Sequence, residues 1–503
     1  RQITATASGA ISAAGKPLIV NTDGTVTSNL IDSGTASTGS ATQVVAHINR
    51  DTRSTFDSNS NRVVAVYRRH SGTTDGKANA VVGTVSGTSI SFGTPVEFNS
   101  GNNNNMDICF DSSNNKVIIA YRDIGNSGHG TAIVGTVSGT SISFGSAQVF
   151  ESASIVGVGF FDMAFDSNSN RVVIVYADGG NSNIPTAIVG TVDSSDDSIS
   201  FGTAVVYNTA TSHNNSAVFD SNTGKVVIAF RDNSNNNVTS RVGTVSGTSI
   251  SFGTAVQVDA NGNSVAAVFD SNSNKVVVVY KDVGNSNYGT ARVGTVSGTD
   301  ISFGTETVFN SGSTSDIHCA FDSSNNKVVI GYKDGGDSDK GNCVVGTVSG
   351  TNISFGSEVT FHDASTNSMD NVVYNSNLQK LFFFYRDSSA VGKFVSGTIS
   401  GTAVGSISSE TTYHNASTAA PFQIYDVAST NIVAAYRDAG DSNKGKAVVV
   451  KPDDRVTTRA EVADGGKAVI DSANTVSRNQ IELTAGQTYF VQTDGTLGLT
   501  ADS

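Results

Sequence analysis

The chain has no tryptophan, three cysteines and five prolines in 503 residues, and only 15% of its residues are charged. Each shortage excludes something. Without tryptophan it is not a lectin that stacks sugars on indole rings. Cys109, Cys319 and Cys343 are an odd set with no CxxC, so they are neither a disulfide framework nor a zinc site, and buried thiols are expected. Five prolines rule out a proline-rich linker. The net charge of −13 would repel phosphate, which argues against nucleic acid as a partner. No apolar run approaches the ~20 residues of a membrane helix, so no membrane insertion is expected. No charged, apolar and small-residue signal peptide opens the sequence; it starts at Arg1 rather than Met, so a processed chain, with a leader removed, or a fragment is expected.

What the chain has in abundance is repetition. A phrase of the form aromatic-Asp-Ser-Asn-x-Asn-Lys-Val-Val-x-x-Tyr recurs with its Asp at Asp57, Asp111, Asp166, Asp220, Asp270 and Asp322. Weaker copies centre on Asn375 and Asp426, making eight copies at a period near 53. A second phrase, Val-Gly-Thr-Val-Ser-Gly-Thr-Ser-Ile-Ser-Phe-Gly, follows most copies, as in Val82–Gly93 and Val242–Gly253.

Each copy reads as four strands. In the fifth these are A (Val265–Phe269), B (Val276–Lys281), C (Thr290–Val296) and an alternating D (Ile301–Phe309). No helical periodicity intervenes. The fold expected is all-β: an eight-bladed β-propeller over residues 35–452. The eighth copy lacks its strand D, and Ala41–His47 is an orphan strand D. Aligned without a gap, Ser40–Asp57 matches Gly253–Asp270, so the N-terminal strand is expected to close the ring.

Residues 1–34 and 453–503 lie outside the repeat and resemble each other. Pro17–Thr27 and Tyr489–Leu499 both read strand, Asp-Gly turn, strand. They are expected to form one small β module, serving either as a cap or as the attachment point to other subunits of a homo-oligomer or larger assembly.

Function is expected on the face shared by the B–C and D–A loops, because D–A connections differ from copy to copy. The B–C loops repeat a polar cluster suited to sugar hydroxyls. Its candidates are Asn126, Asn285, Asn287, Asp337 and Asp441, with His129 and Tyr288 supplying ring faces. The D–A regions add His213, His362 and His414. The Arg/Lys-Asp pair before each loop is read as structural. The D-x-N-x-N turns, such as Asp270/Asn272/Asn274, partly resemble a calcium loop. They offer one carboxylate each and no downstream Glu, so hairpin closure by Asx side chains explains them equally well. No catalytic set stands out: the arginines keep register with the repeat and the histidines lack metal spacing, so no enzyme and no resident cofactor are expected.

Phe269–Asp282, Val293–Phe303 and especially Leu483–Leu499 resemble repeats in virion proteins of marine tailed phages, tail fibres and other exposed structural proteins among them. The resemblance implies a virion-surface protein that recognises host glycan. A bacterial surface adhesin or filament subunit is the alternative, and a glycan-cleaving propeller the second.

Overall fold

In the computed structural model, described residues are 37–69, 76–156, 161–405, 407–427 and 431–451, with short strands at both ends. They divide into two units, Thr38–Tyr374 with Leu381–Lys451, and Arg1–Ser37 with Asn375–Lys380 and Pro452–Ser503. No helix among the described residues is long and apolar enough to cross a membrane.

The larger unit is built from β-branched runs. Strand B of blade five, Lys275–Asp282, places Val276, Val277, Val278, Val279 and Tyr280 in succession, all fully buried. Burial of consecutive residues means both faces of the sheet are covered. The two faces serve two neighbours. Val276 and Val278 pack with Val227 and Ala229 of blade four, whereas Val277 and Val279 pack with Val328 and Ile330 of blade six. The same alternation links the other described pairs of blades, and one cluster joins Val63 and Ala65 of blade one to Val433 and Val449 of blade eight.

Within a blade the order is A-B-C-D, antiparallel throughout. In blade five, A is Gly262–Asp270, B is Lys275–Asp282 and C is Tyr288–Ser297. Strand D differs from expectation. It comes in two pieces, Asp300–Phe303 and a stretch beginning at Thr307, both paired with C. The break has a steric cause. A Cβ on Gly304 would lie 1.7 Å from the carbonyl oxygen of Thr351 in the C–D turn of blade six. Strand D therefore opens to let the next blade's turn come against its backbone.

The ring closes as a strand shared by both ends of the unit. Thr42–Asp57 pairs first with strand C of blade eight, with Ala447 opposite Thr42, and then with strand B of blade one. The register is one residue off the gapless alignment. Gly39, rather than Ser40, takes the break position: its amide bonds Val449 O at 2.9 Å, and its Cβ would meet Thr88 O. The closing connection matches Gly304–Asp322 in length, one residue longer than Gly253–Asp270. Eight four-stranded blades closed in this way form a β-propeller.

The end segments share a five-stranded sheet in which Gln2–Ala7 runs antiparallel to Lys467–Asp471. Leu18–Val20 with Thr25–Ser28, and Phe490–Val491 with Leu497–Gly498, form the two hairpins. The remaining residues of 1–34 and 453–503, and with them the proposed attachment surface, lie outside the described residues.

Candidate functional site

The B–C loops are held by the end of strand B. Its Tyr-x-Asp phrase, Phe230-Arg231-Asp232 in blade four, buries the ring and turns the carboxylate back into the loop. Asp123, Asp178, Asp232, Asp282, Asp334, Asp387 and Asp438 each accept from a backbone N–H two or three residues on, at 2.8–3.1 Å. These are Asx turns. The loop then passes through left-handed backbone at Ser286 and Asn287 in blade five, Ser338 and Asp339 in blade six, and Ser442 and Asn443 in blade eight. Asn and Asp are among the side chains that tolerate this region best, which accounts for the Asn-Ser-Asn wording. The loop is also tied to the D–A connection beside it: Asn287 O accepts from Thr314 N and Asp339 O from Thr366 N. Both loop sets are thus pinned by backbone bonds.

The B–C candidates lie at or near the tips. Asn126 and Asn285 are exposed, while Asn287, Tyr288 and His129 are half-buried, the last two opening strand C of their blades. Asp337 is exposed and pairs with Lys340 at 3.1 Å. Asp441 pairs with Lys444 at 2.9 Å and Lys446 at 3.0 Å.

The histidines separate. His213 is exposed on strand A of blade four, opposite Arg231. Burial, then the Arg231 charge, lowers its pKa. His362 and His414 are not available from the loop face, contrary to expectation. His362 is 5% exposed; its ring lies 4.8 Å from that of Tyr385 and its Nδ1 bonds Glu410. His414 is largely buried, 4.7 Å from the Tyr436 ring and 2.8 Å from Asp438. Both close strand D of one blade against strand B of the next. Asn99 does this with Asp123 at 2.9 Å, and Asn208 with Asp232 at 3.0 Å. Burial alone would raise the Glu410 carboxyl, but bonds from His362 and Lys393 outweigh it and hold the pKa down.

The D-x-N-x-N turns lie at the other end of the strands. Asp270 is 2% exposed, and its Oδ1 accepts from Asn272 N and Ser273 N at 3.0 and 2.9 Å. Asn274 takes left-handed backbone. This is hairpin closure.

Sequence reading missed a set on the inner strands. Strand A of most blades carries a bulge, and the residue four before the turn Asp differs from blade to blade: Arg53, Asp107, Asp162, Ser216, Ala266, His318. Several of these reach the next blade's backbone. Asp162 accepts from Ala217 N at 3.0 Å, and Ser216 from Ala267 N at 3.1 Å. Asp107 is raised to about 6 by burial, against the pull of Arg53. Asp162 is raised to about 7 by burial and by the Asp107 charge. The signal was present as variation at one repeat position, but it has meaning only once the strands are adjacent.

No protein family matches the chain, and no curated protein sequence matches it. Among solved structures it is similar to Saccharomyces cerevisiae Sqt1, at 12% identity and TM-score 0.52, over 83% of this chain and 100% of that one. It is also similar to the BP39L lectin from Burkholderia pseudomallei, at 10% identity and TM-score 0.48, over 72% and 99%. The likeness to Sqt1 concerns the fold alone. The chain is an eight-bladed β-propeller with one pinned, polar loop face.

Proposed function

We propose that the protein is a non-catalytic recognition propeller that binds a hydroxyl-rich surface polymer, a host-cell glycan, through its B–C loop tips. The reading places it on the outside of a phage particle, with the end segments as its attachment. The observation that supports glycan binding is the pinned polar loop face. Amide, hydroxyl and carboxylate groups recur at its tips on backbone already ordered, so little entropy is lost on binding. Apolar docking has little support: the exposed large hydrophobic residues among those described are four separate valines, and only Val283 lies in a B–C loop. The phage setting rests on the resemblance of the repeat and end phrases.

The test is a glycan array and whole-cell binding assay on the purified chain, with a combined Asn126→Ala, Asn285→Ala, Tyr288→Ala variant. Specific binding that falls about ten-fold or more in the variant is the expected result, since each lost hydrogen bond is worth ~0.5–1.5 kcal/mol. Binding to no glycan or cell, unchanged binding by the variant, or release of new sugar ends would overturn the reading.

A further inference from the structure

The blades supply their own comparison for one cluster of charges. In blades two to eight, beside the buried aromatic ring of strand B stand the Asp that ends strand B, the strand-C residue opposite the ring, strand D of the same blade, and the end of strand D from the preceding blade. In blade seven these include Asp387 and Glu410, and the strand-C residue is Lys393. Its ammonium lies 3.3 Å from Asp387 and 3.1 Å from Glu410. In blade eight the strand-C residue is Lys446, 2.6 Å from Asp438 and 3.0 Å from Asp441. Each acidic pocket contains its own cation.

Blade five has more acid and no such lysine. Asp259 ends strand D of blade four, Asp282 ends strand B of blade five, and Glu306 sits in the break of strand D. Each offers a carboxylate oxygen, and the three lie within 4.8 Å of one another. The strand-C residue opposite Tyr280 is Thr290. Both residues are fully buried, and neither hydroxyl has a hydrogen-bond partner. The Tyr280 ring stands by Asp259: a Cβ on Gly262, in strand A of blade five, would lie 3.3 Å from the ring's Cδ2 and 3.1 Å from Asp259 Oδ1. Opposite residues of an antiparallel pair point to the same face, so Thr290 shares that side of the sheet. The guanidinium of Arg292 is nearby but bonds the carbonyls of Gly304 at 3.0 Å and Val258 at 2.5 Å. Asp282 and Asp259 each spend one oxygen on a loop amide, Asn285 N and Asn261 N.

We propose that Asp259, Asp282 and Glu306, with the hydroxyls of Tyr280 and Thr290 beside them, bind one divalent cation, calcium, and staple blade four to blade five. The donors are all hard oxygens, which suit calcium or magnesium and not zinc. Calcium's bond lengths of ~2.3–2.6 Å let donors stand up to ~4.6–5.2 Å apart, whereas magnesium's ~2.0–2.1 Å limits them to ~4.2 Å. The site is distinct from the D-x-N-x-N turns at the other end of the strands, and it does not depend on glycan recognition.

The experiment uses the full chain after chelator treatment, titrated with calcium chloride by calorimetry and followed by thermal melting. One calcium per chain is expected, with Tm rising by a few degrees in saturating calcium. Asp259→Asn and Glu306→Gln are expected to lose both. Thr290→Lys copies blades seven and eight, and should abolish calcium uptake while holding Tm near that of the calcium-loaded chain. Terbium gives an independent readout. The chain has no tryptophan, so sensitised emission reports tyrosine, and Tyr280→Phe should reduce it several-fold while calcium still binds. No calcium-dependent Tm shift, binding undiminished in Asp259→Asn and Glu306→Gln, or an equal response to magnesium would overturn the proposal.

Discussion

Two kinds of glycine recur in the repeat, and they differ physically. Gly247 sits in the C–D turn of blade four at φ +61°, with no atom within 4 Å of where a Cβ would stand. Gly253 has no such backbone demand, but its Cβ would lie 1.7 Å from Thr299 O. Gly247→Ala is therefore expected to cost ~1–2 kcal/mol, the penalty for left-handed backbone. Gly253→Ala must push back the next blade and is expected to cost ~3 kcal/mol or more. Urea unfolding of the two variants ranks them; equal losses would refute the steric account. The sequence shows that both glycines recur in most copies, but not that one serves a turn and the other a neighbour.

At the scale of elements, the A–B hairpins depend on their Asp. Asp270 accepts two backbone bonds from a buried position, so Asp270→Ala strands two amides and is expected to lose ~1–3 kcal/mol. Asp270→Asn keeps an acceptor and should recover most of that loss, as read by chemical denaturation. These hairpins were legible in the sequence because the Asx turn is local: donor and acceptor are two or three residues apart. The role of His362 and His414 was not. Their position in a variable connection suggested an open loop, yet the ring partners, Tyr385 and Tyr436, come from the following blade. The same limit hid Asp259, Asp282 and Glu306, which look unremarkable one by one.

Three carboxyls of the inner strands contribute a pH dependence to the stability of the whole ring. Asp107, Asp162 and Asp370 are raised from 3.8 to about 6, 7 and 6, with burial the main cause in each. A carboxyl whose folded pKa is raised stabilises the fold fully below its unfolded pKa, and that stability is lost as pH rises through the folded value. These groups thus favour the propeller near pH 4 relative to pH 7. Asp162→Asn keeps an oxygen for Ala217 N and removes the charge. Its Tm is expected to gain on the parent as pH goes from 4 to 7.5; an unchanged difference would refute the assignment.

Closure is testable at the same scale. A chain starting at residue 49 would leave strand C of blade eight, Lys444–Lys451, as an open edge. It is expected to self-associate on gel filtration and to return to monomer when a peptide of residues 37–48 is added. A monomer that melts like the parent would show that closure contributes little.

What the sequence determined by itself is everything that repeats within one blade: four strands, the Asx hairpins, the glycine turns, the number of copies and the orphan strand that completes the last one. Those rest on hydrogen bonds and side-chain alternation within about 50 residues, so a periodic chain states them eight times. Only the tertiary structure decided what lies between blades: the break in strand D, the one-residue register of the closing strand, the burial of His362 and His414, the coupled carboxylates of the inner strands and the acidic pocket of blade five. Each depends on groups from different copies brought within a few ångströms, where burial and charge act through space rather than along the chain.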